Sequence, residues 1–329
     1  MSLPHETDSF FDNTRLSAYK DCPRKYFLRH VMHWRGEGIA TPLAFGGAWH
    51  AAMDIVWKYG ATLTPDELQT AAMANFLEKW TEEGLPAELD VDQTQAYTPR
   101  TPSIAAEMVA NYIEDRARYL QGSEVIAVEQ PFAVPLPNMP ATWYVGRLDK
   151  MIGWQGQTLA LEHKTTALYR KEGYFPMDWV QSWYNDAQVK GYEYGAGLYY
   201  PKFDGVWIDG ALCHKTVHNG FKFIPVHHSV DLVVEWLHDA EQWVERINRD
   251  TILFEQYGHL APGTFPKNEN SCFGKYGVCP YLDVCRTRAD VDKGEAPPIG
   301  YIVEVWNPFE TLGLSEIIHA EEATTAIPA

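Results

Sequence analysis

Apolar and polar positions alternate most clearly in this chain at 142–152 and 158–164, two runs joined by a Gly-Trp-Gln-Gly stretch. Alternation with a period of two is typical of β-strands and glycine-rich joints are typical of turns, so the pattern predicts a β-hairpin. Similar alternation predicts further strands at 124–134, 203–214, 221–228 and 301–306. Apolar spacings of three and four predict two short helices within 14–34, a helix from about His50 to Tyr59, and helices at 65–82, 103–121, 174–200 and 230–249.

The hairpin carries the candidate chemistry. Successive side chains of a strand point to opposite faces, so Glu162 and Lys164 share one face and His163 lies on the other. Pairing of the two strands brings Asp149 beside Glu162 and Lys164. Two carboxylates near a lysine can hold Mg²⁺ and orient a water molecule for phosphodiester hydrolysis. The same residues can equally form cross-strand ion pairs on a solvated face.

Composition places the chain among ordinary globular proteins. It has 329 residues, of which 46% are hydrophobic and 22% charged, enough for one elaborated domain with a helical insertion or cap at 61–122. No apolar run reaches transmembrane length, and the first residues lack a signal-peptide profile. We therefore expect a cytoplasmic protein with no membrane partner.

Charge is unevenly distributed. The net charge is −17, and residues 63–93 and 289–329 each contribute −7, whereas residues 15–35 carry +5. A basic strip on an acidic protein can still attract a polyanion, so Arg24, Lys25 and Arg29 are predicted to contact DNA. Pairing of these residues with the acidic insertion is the alternative. We also expect a C-terminal strand and polar tail at 297–329.

The cysteines favour ligands over disulfides in a reducing compartment. Cys272, Cys279 and Cys285 lie within fourteen residues, and Cys22 lies near the junction of the two N-terminal helices. Cys213 occupies a strand pattern and is interpreted as a small buried apolar residue.

Several polar and aromatic residues have two interpretations. His50 can be a capping or core residue, or a ligand. Trp179, Trp183 and Tyr184 can stack on unpaired bases or pack in the core. Gln188 and Tyr192 are four apart, which places them on one face of a helix.

Taken in order, these features resemble the PD-(D/E)xK nuclease superfamily, and within it the RecB-type exonucleases that carry an iron–sulfur cluster, including CRISPR-associated and AddB-like members. The resemblance spans residues 16–285. Its landmarks are LSAYKDCPRKYFL with Cys22, GGAWH with His50, Glu129, GRLDK with Asp149, LEHKT with Glu162 and Lys164, and QVKGY with Gln188 and Tyr192.

The resemblance implies an α/β fold with a restriction-endonuclease-like core, in which a central mixed sheet is flanked by helices. It further implies Mg²⁺ or Mn²⁺ as cofactor. The roles carried over are metal ligation by His50, Asp149 and Glu162, catalysis by Lys164, support of the site by Gln188 and Tyr192, and an indirect role for Glu129 behind the metal ligands. Leu148 stands where the superfamily name has proline, although GxxD is usual in the RecB-like branch.

For the cysteines, the resemblance implies a 4Fe–4S cluster held by Cys22, Cys272, Cys279 and Cys285, with segment 265–290 closing onto Cys22. Six residues separate Cys272 from Cys279, where the family commonly has two. Four thiolates also suit structural zinc, but zinc ribbons favour paired CxxC knuckles, which this chain lacks.

The function implied is a DNA exonuclease that processes ends in replication, recombination or repair, in keeping with a phage protein. DNA ends or single strands would be its partners, together with a replication or recombination protein. A non-catalytic DNA-end-binding module and a restriction-type endonuclease are the alternatives.

Overall fold

A computed structural model describes residues 4–171, 174–200, 202–274, 277–315 and 317. The α-helices are α1 (Asn13–Asp21), α2 (Pro23–Tyr26), α3 (Thr41–Tyr59), α4 (Pro65–Glu82), α5 (Val91–Tyr97), α6 (Pro102–Gly122), α7 (Met177–Ser182), α8 (Ala187–Tyr199), α9 (Val230–Tyr257), α10 (Leu282–Thr287) and α11 (Pro308–Thr311). The strands are β1 (Ser9–Phe11), β2 (Trp34–Gly36), β3 (Glu124–Pro135), β4 (Thr142–Trp154), β5 (Gln157–Thr166), β6 (Phe203–Leu212), β7 (Phe221–Val226), β8 (Phe273–Gly274), β9 (Gly277–Val278) and β10 (Tyr301–Val303). Single turns of π- or 3₁₀-helix lie at Phe27–Val31, Trp183–Asn185 and Glu269–Ser271.

The chain forms two compact units, each assembled from separate stretches of sequence. The described residues of Met1–Gly38, Pro131–Gly146 and Val230–Ala329 form the first unit, and those of Ile39–Gln130 and Arg147–Ser229 form the second. Compactness describes packing, whereas a domain is also defined by its capacity to fold alone. The expectation of a single domain therefore stays a prediction.

A mixed β-sheet forms the centre of the second unit. β4 and β5 are antiparallel, β5 and β6 are parallel, and β6 and β7 are antiparallel. Helices α3, α4 and α6 share an apolar core with β4, β5 and the end of β6. The largest fully buried side chains of this core are Phe45, Trp49, Phe76, Trp80 and Tyr112. The predicted α/β fold with a mixed sheet flanked by helices is confirmed, and α4 and α6 are integral to the packing of the unit.

The first unit is tied together by buried polar contacts as well as apolar ones. β1 runs parallel to the first residues of β4, and the Trp143 indole N–H donates to Asp8 at 2.8 Å. The hydroxyl of Tyr19 on α1 donates at 2.8 Å to Asp250 on α9, and this buried carboxylate also accepts from the Phe265 N–H. Two small antiparallel pairs, β2 with β10 and β8 with β9, complete the described strands of the unit.

Three helix predictions were wrong in their limits. α3 begins at Thr41, so its glycine pair lies inside the helix and His50 lies near its middle rather than at its start. The stretch predicted as one helix at 174–200 is divided, because the Asp186 side chain accepts from the backbone N–H groups of Gln188 and Val189 and so caps a new helix, α8. α9 extends beyond its predicted end to Tyr257.

Other expectations concern the chain end and the membrane. The predicted C-terminal strand is present as β10 but ends at Val303. The tail beyond residue 317 lies outside the described residues. Within the described ranges, no helix combines the length and apolar character needed to cross a membrane.

A polar network is buried between α6 and the sheet. Arg116 donates to Asp209 Oδ1 at 2.7 Å, and the Tyr112 hydroxyl donates to the other oxygen of Asp209. The Trp57 indole N–H donates in turn to the Tyr112 oxygen at 2.9 Å. His163 Nδ1 lies 3.1 Å from Asp209 without the alignment of a hydrogen bond. Because Asp209 is only 1% exposed, the network depends on a carboxylate that water cannot replace.

We expect Asp209→Ala to lower the free energy of unfolding by about 3–5 kcal/mol, because it removes the buried partner of the buried Arg116 guanidinium. Asp115 pairs with the same guanidinium from a half-exposed position. Asp115→Ala is therefore the matched control and should cost less than about 1 kcal/mol. Urea unfolding of both variants makes the measurement, and equal decreases would contradict the assignment.

Candidate active site

The β4–β5 hairpin positions the candidate carboxylates. Its turn residues Gln155 and Gly156 have φ of 49° and 82°, the left-handed pair of a two-residue hairpin turn. The register pairs Lys150 with Leu161, so Asp149 approaches the position of Glu162 on the opposite face of the sheet from the core helices. The backbone of the second strand also holds Asp149, since the N–H of residue 163 donates to its Oδ2 at 2.8 Å.

Two side chains hold the ammonium of Lys164. It donates to Glu162 Oε1 at 2.5 Å and to Gln188 Oε1 at 3.1 Å. The Gln188 amide nitrogen donates to the Tyr192 hydroxyl at 2.7 Å, one turn further along α8. The structure therefore brings together four of the predicted residues, with α8 fixing the direction of the lysine.

A second group of donors converges on Asp149. Atoms of His50, Glu129 and Asp149 all lie within 4.8 Å of one another, close enough to share a metal ion. His50 Nδ1 is 3.5 Å from Asp149 Oδ1, and its Nε2 contacts the His163 carbonyl oxygen at 2.8 Å. The sequence indicated only an indirect role for Glu129, whereas the structure places its carboxylate within this donor group.

The backbone at Glu129 is unusual for a strand residue. Its φ is 52°, a value that residues with a Cβ adopt infrequently, and it marks an irregularity within β3. Sequence alternation predicts regular strand geometry at this position, which hides the true direction of the side chain.

A buried lysine lies behind the site. Lys150 is fully buried on the core side of β4, and its ammonium donates to Asp54 at 2.8 Å. Asp54 follows His50 by one turn of α3, so this ion pair ties the helix to the strand that carries Asp149. Sequence patterns do not indicate this partnership, because lysine and aspartate are ordinary surface residues.

Charge is shared unequally between the two central carboxylates. Burial acts to raise the pKa of Asp149, but the charge of His50 and its hydrogen bonding hold that pKa well below its usual range. Burial and the nearby Asp149 charge raise the pKa of Glu162 to about 7, against the opposing effect of Lys164. Glu162 Oε2 is buried and has no hydrogen-bond partner within the described residues. A buried carboxylate oxygen without a hydrogen-bond donor can coordinate a cation.

The surrounding histidine and aromatic residues divide between core and surface. His163 packs among the rings of Trp57 and Tyr112, and burial together with the Lys150 charge lowers its pKa to about 4, so it is neutral. Trp179 is buried against Phe175, which supports the core interpretation. Tyr184 is 51% exposed and remains available to a ligand.

In the first unit, Cys22 lies against the predicted C-terminal partner segment. The Asn268 N–H donates to Cys22 Sγ at 3.4 Å. The side chains of Asn268 and Ser271 both donate to the Asp21 carbonyl, at 2.7 and 2.8 Å. The α1–α2 junction is thereby joined to residues that precede Cys272 along the chain.

The other cysteines lie in the same region. The Cys279 N–H donates to the Cys272 carbonyl at 2.9 Å and closes the β8–β9 hairpin. Burial raises the pKa of Cys279, with Cys22 and Cys272 adding to the effect. Burial likewise raises the pKa of Cys285, with Cys22 and Cys279 contributing.

Cys213 lies apart from this group, in the second unit. It is fully buried, and its thiol donates to the Pro99 carbonyl at 3.2 Å. Burial raises its pKa to about 12, as expected for an inert core residue.

The basic strip has partners within its own unit. Lys25 pairs with Asp21 at 2.8 Å, Arg29 contacts Glu304 at 3.3 Å, and Arg24 donates to a backbone carbonyl. The two carboxylates come from the strip itself and from the acidic C-terminal segment, and the carbonyl is that of Phe265, so none of these partners belongs to the predicted acidic insertion. The DNA-contact assignment stays a prediction.

Comparison with known proteins gives a family match. A sequence model of the family described as "PD-(D/E)XK nuclease superfamily" matches residues 13–286. Among solved structures, the chain is similar to a crystal structure from Eubacterium rectale described as a "Putative exonuclease", at 16% sequence identity and a TM-score of 0.46. The similarity covers 90% of this chain and 97% of that one. No curated protein matches this chain.

Proposed function

This chain belongs to the PD-(D/E)XK nuclease superfamily, and we propose that it is a divalent-metal-dependent DNA exonuclease. The observation that carries the proposal is the contact of Lys164 with both the buried Glu162 and Gln188, beside the donor group of His50, Glu129 and Asp149. A module that only bound DNA would gain nothing from charges held this way, since burying them costs free energy.

PD-(D/E)XK nucleases use divalent metals, and the donors fit one. His50, Glu129 and Asp149 offer one imidazole and two carboxylates, a set that suits Mn²⁺ and, with water completing the shell, Mg²⁺. The unpartnered Oε2 of Glu162 is a further candidate ligand. A bound divalent cation would stabilise negative charge on a phosphate and lower the pKa of a water molecule.

Lys164, Gln188 and Tyr192 would orient the reacting water molecule and balance the charge of the phosphate. Lys164 keeps its positive charge, because Glu162 and Asp149 raise its pKa against the effect of burial. Held between Glu162 and Gln188, its ammonium can direct a water molecule and oppose negative charge that develops on the phosphate. Tyr192 fixes Gln188 and so the direction of the lysine.

Exonuclease action and a role in DNA ends rest on the landmarks shared with RecB-type exonucleases. We infer action on DNA ends or single strands in replication, recombination or repair, as part of a phage system and alongside a replication or recombination protein. Incubation of Mn²⁺-supplemented protein with end-labelled, circular and single-stranded DNA tests this directly. Cleavage of closed circles would favour the endonuclease alternative, and binding without cleavage would favour the non-catalytic one.

We further propose that Cys22, Cys272, Cys279 and Cys285 hold a structural 4Fe–4S cluster. Support comes from the contacts that join the Cys22 junction to residues 268–271 and from the mutual effects of the thiols on pKa. Four thiolates also suit structural zinc, which is the alternative occupant of the site.

Asp149→Ala and Glu162→Ala should each lower metal-dependent DNA cleavage by at least about 100-fold, because each removes a carboxylate that would hold the divalent cation, and the cation stabilises charge in the transition state. Lys164→Ala should slow cleavage sharply while metal and DNA binding persist. The exposed Glu78 of α4 supplies the control, and Glu78→Ala should cut at the wild-type rate. Release of labelled nucleotides gives the rates, and wild-type activity in Asp149→Ala would refute the assignment.

Replacing Arg24, Lys25 and Arg29 with alanine tests the basic strip. If these residues contact phosphates, DNA affinity should fall, and the slope of log affinity against log salt should flatten by about 0.7–0.9 for each phosphate that is no longer neutralised. Fluorescence anisotropy across a salt series gives both values. An unchanged slope would assign the strip to its internal pairs with Asp21 and Glu304.

Cys22→Ser, Cys279→Ser or Cys285→Ser should remove the brown colour of anaerobically purified protein and lower its melting temperature, because a metal cluster that joins distant segments adds folding free energy. Cys213→Ser is the control and should keep the colour per folded molecule. Iron, sulfide and zinc analysis identifies the occupant. Zinc without iron, under iron-replete anaerobic expression, would rule out the iron–sulfur assignment.

A further inference from the structure

Arg147 lies at the edge of the candidate metal site. It precedes Asp149 by two positions on β4, so the two side chains share one face of the strand. Its Nε is 2.5 Å from Glu129 Oε2, and Glu129 belongs to the donor group. Arg147 belongs to the motif GRLDK, but it is neither one of the metal-donor residues nor one of the residues that contact Lys164.

Charge indicates why an arginine is useful here. The three carboxylates of the site would repel a phosphodiester, which is itself an anion. Within the described residues, the ion pairs of these carboxylates involve His50, Lys164 and Arg147. The Lys164 ammonium is held between Glu162 and Gln188, whereas the Arg147 side chain is 43% exposed.

The chemistry of the guanidinium matches a phosphate. Arginine has five N–H donors in a planar fork, and Glu129 faces the one on Nε. The four on the terminal nitrogens have the geometry to bind two phosphate oxygens together. The Glu129 carboxylate therefore holds the Nε side of the guanidinium and leaves its terminal nitrogens for another anion.

We propose that Arg147 binds a backbone phosphate of the DNA substrate next to the metal site. Its Nε stays against Glu129, and its terminal nitrogens face the phosphate. The inference rests on the proposed nuclease function and names a substrate-binding residue for it.

DNA binding without turnover tests the proposal. In the Lys164→Ala background, Arg147→Gln should weaken DNA affinity about tenfold or more and flatten the salt slope by about 0.7–0.9, as expected when one phosphate is no longer neutralised. Arg147→Lys should restore the slope but only part of the affinity, since lysine keeps the charge and lacks the fork. Exposed Arg118 of α6, which lies 5.8 Å from the Trp154 ring, provides the control Arg118→Gln, with no expected change.

Mn²⁺ affinity, measured by electron paramagnetic resonance without DNA, separates binding of substrate from support of the metal. It should not weaken in Arg147→Gln. Weaker Mn²⁺ binding with an unchanged DNA salt slope would make Arg147 only a positioning residue for Glu129 and would overturn the proposal. Unchanged DNA affinity and slope in Arg147→Gln would also overturn it.

The outcome is independent of the cleavage test. If Arg147→Gln shows the expected decrease in DNA binding but wild-type protein never cleaves DNA, the nuclease proposal fails and the phosphate contact stands. If wild-type protein cleaves DNA and Arg147→Gln matches it in salt slope and KM, only the phosphate contact fails.

Discussion

Repulsion between carboxylates held on one sheet face is the constraint on which the candidate site depends. The β4–β5 register brings Asp149 and Glu162 together. Burial and the Asp149 charge raise the pKa of Glu162, whereas His50 lowers the pKa of Asp149 against the effect of burial. Two neighbouring residues balance these carboxylates, His50 from α3 and Lys164 from β5. The arrangement of the site therefore depends on the balance between its carboxylates and the neighbouring positive groups. A bound divalent cation would reduce the repulsion between the carboxylates.

Residue periodicity was sufficient to predict the centre of this arrangement. Alternation along a strand has a fixed period, so the common face of Glu162 and Lys164 and the opposite direction of His163 follow from position alone. The turn at Gln155 and Gly156 fixes the register of the hairpin, which brings in Asp149. Local rules suffice here because both strands are continuous and the loop between them is short.

Residues that depend on irregular backbone or distant packing could not be predicted in this way. The helix through His50 continues across two glycines because tertiary packing outweighs their weak helix propensity. Glu129 enters the donor group through a left-handed φ that alternation does not encode. The pair of Lys150 with Asp54 is a buried contact between residues that composition assigns to the surface. Family resemblance supplied His50 and Glu129 where residue patterns alone left them ambiguous.

Because the two units use different stretches of sequence, the ribosome completes one unit before the other. The second unit ends at Ser229, whereas the first includes the described residues of Val230–Ala329. At about 5–20 residues per second, Cys272 leaves the ribosome's catalytic centre about 4–16 s after Tyr192. A chain halted between these two residues therefore carries every candidate catalytic residue and none of the C-terminal thiols.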